Sequence, residues 1–205
     1  MENAYFYEQN HQFSAMESYF LDVSGIEGTD LYCDSESAAT IKEEIDGMPL
    51  RAIHHIGNGN YHYVSLFFLE RIREPFELIL FDHHSDDQPG AFGEGLLSCG
   101  SWVLEARNKL PNLKYVNWIG KPGTDNSYTD SGNRLPVYVS IDLDVLGEEF
   151  IETVWDQGDM TPEKLERILG GIAGKRKILG VDICGYTDVD HPVIKNLDGL
   201  LSGTD

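Results

Sequence analysis

The stretch Leu78-Ile79-Leu80-Phe81-Asp82-His83-His84-Ser85-Asp86 decides how this chain is read. Its apolar opening has the length and composition of a strand buried on both faces, the kind found in parallel sheets. Metal-binding side chains follow at once, at Asp82, His84 and Asp86. Residues two apart at a strand end share a face, so this spacing can aim three ligands at one point. A second stretch repeats the plan, with Val137-Tyr138-Val139 running into Ser140-Ile141-Asp142-Leu143-Asp144. His62 stands upstream, just after the turn sequence Gly57-Asn58-Gly59-Asn60. Ligands of open parallel sheets bind at the carboxyl ends of the strands, which is where both groups fall.

Working outward, short apolar or β-branched runs alternate with helical patterns. Strands are expected at residues 18–23, 30–33, 50–56, 77–81, 114–119, 136–141 and 177–184. Helices are expected from Asp34 through Glu44, from Tyr61 to Arg73, from Gly100 to Leu110 and from Thr161 onward. Thr161-Pro162 is a strong start, a capping hydroxyl followed by proline in the first turn. Residues 120–134 read as a polar loop, and the last twenty residues as a surface tail. Strands and helices in this alternation imply parallel βαβ units and a three-layer α/β/α sandwich with a mostly parallel sheet. No repeat or linker divides the 205 residues, so a single domain over 1–205 is expected.

The formal charge of −20 argues against nucleic acid, which needs a basic stripe, and suits a cationic partner. No apolar run approaches the roughly 18 residues of a membrane span. The first ten residues show neither the basic nor the apolar part of a secretory leader. Three cysteines, Cys33, Cys99 and Cys184, are odd in number and unpatterned, which fits a reducing compartment. Together these point to a soluble cytoplasmic protein. Homo-oligomerisation is left open.

His62, Asp82, His84, Asp86, Asp142 and Asp144 offer four carboxylates and two imidazoles, a charge that balances two divalent cations. Donors of this type, with no thiolate among them, suit manganese, with magnesium, iron and zinc as competitors. Carboxylates can bridge two ions about 3.5–4 Å apart and support a hydroxide nucleophile at neutral pH. Asp86 is the expected acceptor of its proton.

The order His, then Asp-x-His-x-Asp, then Ser-x-Asp-x-Asp resembles the ureohydrolase family of arginase, agmatinase and formiminoglutamase. Gly59-Asn60-Tyr61-His62 stands where that family has Gly-Gly-Asp-His, and Asp82-His83-His84-Ser85-Asp86 where it has Asp-Ala-His-x-Asp. Gly180-Val181-Asp182-Ile183 resembles its final strand. The resemblance covers roughly residues 50 to 186 and implies an arginase- and deacetylase-like fold with two manganese ions. One ion would take His62, Asp82, Asp86 and Asp142, and the other Asp82, His84, Asp142 and Asp144. The chain is shorter than a typical arginase, so the resemblance implies trimmed helices and substrate loops.

The pattern is broken in three places. The family's Asp-Pro after its third motif is replaced by Gly147-Glu148. Gly185 stands where the family has a Glu that holds the substrate guanidinium, and Cys99 where it has a proton-shuttling His. Nearby replacements are Trp155 and Asp156, an aromatic face beside a carboxylate, and Asp188 or Asp190 after the last strand. His54 and His55 read as strand residues, His83 as pointing away from the metals, and His191 as loop.

The expected activity is hydrolysis of a C–N bond in a guanidino or amide substrate, a small molecule or an arginine within a peptide. The alternatives are a metal-binding protein without catalysis and a deacetylase-like amide hydrolase.

Overall fold

A computed structural model describes residues 16–90 and 96–203. The first ten residues, read above for a leader, lie outside that range. In chain order the elements are β1 (Ser18–Phe20), β2 (Tyr32–Cys33), α1 (Ser35–Asp46), β3 (Ile53–His55), α2 (Val64–Leu69) and β4 (Phe76–Phe81). Then come β5 (Leu97–Ser98), α3 (Trp102–Lys109), β6 (Leu113–Ile119), β7 (Val137–Asp142), α4 (Pro162–Ala173), β8 (Ile178–Cys184) and α5 (Pro192–Ser202).

Six strands form one sheet in the order β1-β3-β8-β7-β4-β6, every neighbouring pair parallel. Strands β4, β7 and β8 lie inside it and are buried at every residue, as their near-continuous apolar sequences require. Alternate side chains feed two cores. Ile79, Phe81, Val139, Ile141, Val181 and Ile183 pack with Leu165 and Leu169 of α4 and Ile194, Leu197 and Leu201 of α5. Leu78, Leu80 and Tyr138 pack on the other face with Ile41 and Ile45 of α1, the apolar residues of α2, and Trp102 and Val103 of α3. The expected three layers are present, on a sheet that is wholly parallel.

Four local expectations are corrected. The segment 30–33 does not join the main sheet; Tyr32 and Cys33 pair antiparallel with β5, a strand not foreseen. The main-sheet strands at 18–23 and 50–56 shorten to three residues each. The helix expected at Tyr61–Arg73 contracts to Val64–Leu69, behind a 3-10 turn at Gly59–Tyr61 capped by Asn58. All six residues of α2 are buried, so packing rather than amphipathic periodicity fixes its extent.

The largest correction is at the carboxyl end, where the expected tail is helix α5. His191, expected in a loop, caps it by accepting from the Val193 N–H, and Pro192 occupies its first turn. Ile194, Leu197 and Leu201 are buried at the three- and four-residue spacing of a helix face. Gly203, at φ +70°, ends it in the left-handed conformation glycine adopts without strain.

Candidate metal centre

The carboxyl ends of β4 and β7 are neighbours in the sheet, which brings the two ligand groups to one place. Asp82 leaves β4 with its N–H bonded to the Ile119 carbonyl, while Trp118 donates its indole N–H to the Asp82 carbonyl at 2.8 Å. Gly120 makes this approach possible, since a Cβ there would lie 2.2 Å from that carbonyl oxygen. Asp86 sits at φ +47°, a left-handed conformation uncommon outside glycine and tolerated best by Asp and Asn. Asp142 closes β7, and its Oδ1 accepts the Asp144 N–H at 3.0 Å, which locks the pair together. His62 follows the 3-10 turn and enters from the α2 side.

All six expected ligands converge. His62 Nδ1 lies 3.0 Å from Asp86 Oδ2, 3.2 Å from Asp82 Oδ2 and 3.5 Å from Asp142 Oδ2. His84 Nδ1 lies 2.8 Å from Asp144 Oδ2 and 3.7 Å from Asp82 Oδ1. Asp82 therefore belongs to two clusters, one with His62 and Asp86 and one with His84 and Asp144. Despite their closeness, His62 Nδ1 and Asp82 Oδ2 are buried without a hydrogen-bond partner. Buried polar atoms are nearly always paired, so donor atoms that crowd together without bonding one another fit a shared cation.

Electrostatics agree. Burial, then the charge of Asp144, pushes Asp142 up to about 8. Burial, then the charge of Asp82, raises Asp144 to about 6, with His84 offsetting part of the effect. Hydrogen bonds donated by its ring to Asp144 and Asp82 lift His84 to about 10. For His62, burial opposes the charged form, but Cys184, Asp82 and Asp86 outweigh it and hold the imidazole well above its usual value. Crowding of this kind makes the cluster take up protons, the charge that a cation would otherwise supply.

Behind the ligands runs a buried relay. His62 Nε2 meets Ser140 Oγ at 2.9 Å, and Ser140 donates to Asp182 Oδ1 at 2.6 Å. Such outer contacts fix the tautomer and orientation of a ligating imidazole. Trp102, fully buried, donates its indole N–H to Asp86 Oδ2 at 2.7 Å. Ser140, Asp182, Trp102 and Cys184 were not singled out as site residues from sequence. A polar residue at every second place in two apolar strands, Ser140 with Asp142 and Asp182 with Cys184, was the available signal.

A cleft of about 240 Å³ opens over the cluster. Cys99 and Trp155 line it, together with Gln88 and Gly59. Trp155 lies edge-on to His84, with ring centres 6.0 Å apart, and donates to Asn60 Oδ1 at 3.0 Å. Burial pushes the Cys99 thiol up to about 11, so it is neutral at ordinary pH. Asp156 and Asp188 are exposed and are not among the lining residues. Asp188 accepts the Asp190 N–H, and Asp190 pairs with Lys195. His83 keeps its ring off the clusters, beside Gly158, and His54 and His55 are buried in β3.

The chain has the arginase-like α/β fold, and the carboxyl edge of its sheet gathers clusters of candidate metal ligands. Solved structures with this fold include a hypothetical and a putative agmatinase, arginases, a formimidoylglutamase and a proclavaminate amidino hydrolase. The arginase of Bacillus caldovelox superposes with a TM-score of 0.63 at 16% identity, over 86% of this chain and 79% of that one. The proclavaminate amidino hydrolase of Streptomyces clavuligerus gives 0.60 at 18% identity, over 82% of this chain and 67% of the other. An uncharacterized protein of Thermotoga maritima is 37% identical over 145 residues, 65% of this chain and 57% of its own length. The chain thus spans little more than half of that curated relative. No protein-family model matches the chain.

Proposed function

We propose that this protein is a ureohydrolase-like hydrolase of C–N bonds that works with two divalent ions, manganese foremost. The observation that carries the reading is the meeting of six donors around buried, unpartnered His62 Nδ1 and Asp82 Oδ2, in a fold shared with arginases and agmatinases. His62, Asp82, Asp86 and Asp142 would hold one ion, and Asp82, His84, Asp142 and Asp144 the other. When bound, the ions would supply an activated water and Lewis acidity toward the reacting carbon.

The side chains do the rest. Asp86 lines the cleft and accepts the proton of the attacking water, held in place by the Trp102 indole. The Ser140–Asp182 pair keeps His62 oriented, with Nδ1 toward the carboxylates. Trp155 presents an aromatic wall beside the acidic cluster, which suits a planar cation such as a guanidinium. Cys99, a neutral thiol, is a weak proton donor on the same wall.

Substrate choice follows from Gly185. It offers no carboxylate, and a Cβ there would fall 2.1 Å from Asp142 Oδ1. Free arginine therefore lacks the grip an arginase gives its guanidinium. A larger substrate, such as an arginine within a peptide, recovers binding energy away from the reacting carbon. Three unpaired cysteines among the described residues support a reducing, cytoplasmic setting.

The test is urea release by manganese-loaded protein from free arginine and from arginine-containing peptides. Turnover of the peptides, with slow or absent release from arginine and loss of both in Asp86→Asn, supports the reading. Efficient turnover of free arginine would show that another group does the work of the missing Glu. No release from either, with both ions bound, would favour a metal-binding protein without catalysis, the reading that Gly185 and Cys99 support.

A further inference from the structure

Cys184 ends β8 in register with Asp142 of β7, and its Sγ lies 3.2 Å from Asp142 Oδ2. It shares a strand face with Asp182, the residue that anchors the Ser140–His62 relay. The thiol, an Asp142 oxygen and a His62 nitrogen form one fully buried cluster whose donor atoms lie within 4.8 Å of one another. The cluster around His84 does not include it. His62 Nδ1, itself buried and unpartnered, is directed at these carboxylates and supplies an independent sign that a cation belongs here. Gly185 follows the thiol and lies against Asp142. At φ +87° it turns the chain immediately after Cys184, and only a residue without Cβ fits against Asp142 there.

Building on the two-ion reading above, we propose that Cys184 is a thiolate ligand of the ion on the His62 side, which makes the two metal positions chemically unequal. On binding, the S–H bond gives way to an S–metal bond and the proton leaves to solvent, with no change of oxidation state. A soft thiolate favours zinc, cobalt or cadmium over manganese. The His84 side, with carboxylates and one imidazole, remains suited to manganese. The expectation of a thiolate-free donor set is revised accordingly. The protein would then reach its full metal content most readily with a mixture of ions.

Cobalt(II) provides the readout, because a cobalt-bound thiolate adds a charge-transfer band in the near ultraviolet. Wild-type protein carrying two cobalt ions by metal analysis should show the band. Cys184→Ser should lose it and Cys99→Ser should keep it. In competition, Cys184→Ser should weaken zinc binding by more than the roughly 10–100-fold that loss of an outer-shell partner causes, while manganese binding changes less. Far-ultraviolet circular dichroism checks that the variant is folded. If it is not, the cadmium NMR shift of the wild-type protein decides the same question, since it moves downfield with thiolate ligation. Two bound cobalt ions without the band, or a band that survives in Cys184→Ser, would overturn the thiolate while leaving the metal centre intact. A wild-type protein that binds no ion would overturn the centre and the thiolate together.

Discussion

Strand β4 has one buried acid near its amino end and another just past its carboxyl end, and the two are treated in opposite ways. Near the amino end, Glu77 meets Arg176, whose Nη2 donates to it at 2.7 Å. The same guanidinium also donates to Asn133 Oδ1, the Leu135 carbonyl and Tyr128 Oη. Just past the carboxyl end, Asp82 joins Asp86, Asp142 and Asp144 around two imidazoles. Among the described residues no lysine or arginine lines the cleft above them. Glu77 is thus compensated from within the chain, as a structural ion pair. The second group has two imidazoles but no such cation lining it, which marks it as a candidate site rather than a strut.

The comparison breaks most visibly at the strut. Arg176→Met leaves Glu77 buried without its cation and should cost about 3–5 kcal/mol, the usual penalty for breaking a buried pair. Urea denaturation measures it, and metal content of the folded fraction should be unchanged. A loss below about 1 kcal/mol, the worth of an exposed pair, would mean that Glu77 does not depend on Arg176 and that the contrast is false.

Metal removal is the matching cut at the other end. Ligand present at about 100 times its dissociation constant stabilises by about 2.7 kcal/mol, so chelation should lower the melting temperature by about 5–10 °C. The chelated protein should also answer to pH in a defined direction. Folded Asp142 and Asp144 keep their protons up to about 8 and about 6, whereas the unfolded groups lose them near 3.8. The folded state binds more protons in that window, so stability falls as pH rises through it. His84 extends the fall from 6.5 toward about 10. With ions bound, cations take the place of those protons and the decline should flatten or reverse. A chelated protein that gains stability between about pH 4 and pH 8 would contradict the crowding of acids.

A smaller effect sharpens the role of the backbone. Gly185→Ala puts a methyl group where only 2.1 Å separates it from Asp142 Oδ1, at a φ that alanine tolerates poorly. Strain of this kind costs about 1–3 kcal/mol. It should appear chiefly as weakened metal binding, because Asp142 must yield first. Equal metal affinity in wild type and variant would show that Asp142 is not held as described.

What the sequence disclosed, and what it hid, follows the range of each interaction. That Asp82, His84, Asp86, Asp142 and Asp144 would meet was legible because each lies at or within a few residues of the end of its own strand, so local pattern was enough. The parallel three-layer sandwich was legible for the same reason, from runs such as Leu78–Phe81. Ser140, Asp182, Cys184 and Trp102 act through strand register or through a contact between β4's loop and α3, which no local window contains. Asp156 and Asp188 show the converse, since nearness in sequence to Trp155 and β8 does not bring them into the cleft lining. Helix α5 was readable in principle from Pro192 and the spacing of Ile194, Leu197 and Leu201. Gly199 in its interior and the acidic run before it weakened the pattern.

The measurement that bears most directly on the account is metal stoichiometry after manganese loading, in wild type and in Asp142→Asn. Asp142 is one of the two carboxylates proposed for both ions, lying 3.5 Å from His62 Nδ1 and accepting the Asp144 N–H. Two ions per chain in the wild type, with most of the occupancy lost in the variant, is the expected result. No more than one weakly held ion, unaffected by Asp142→Asn, would contradict the two-metal centre on which the proposed chemistry depends.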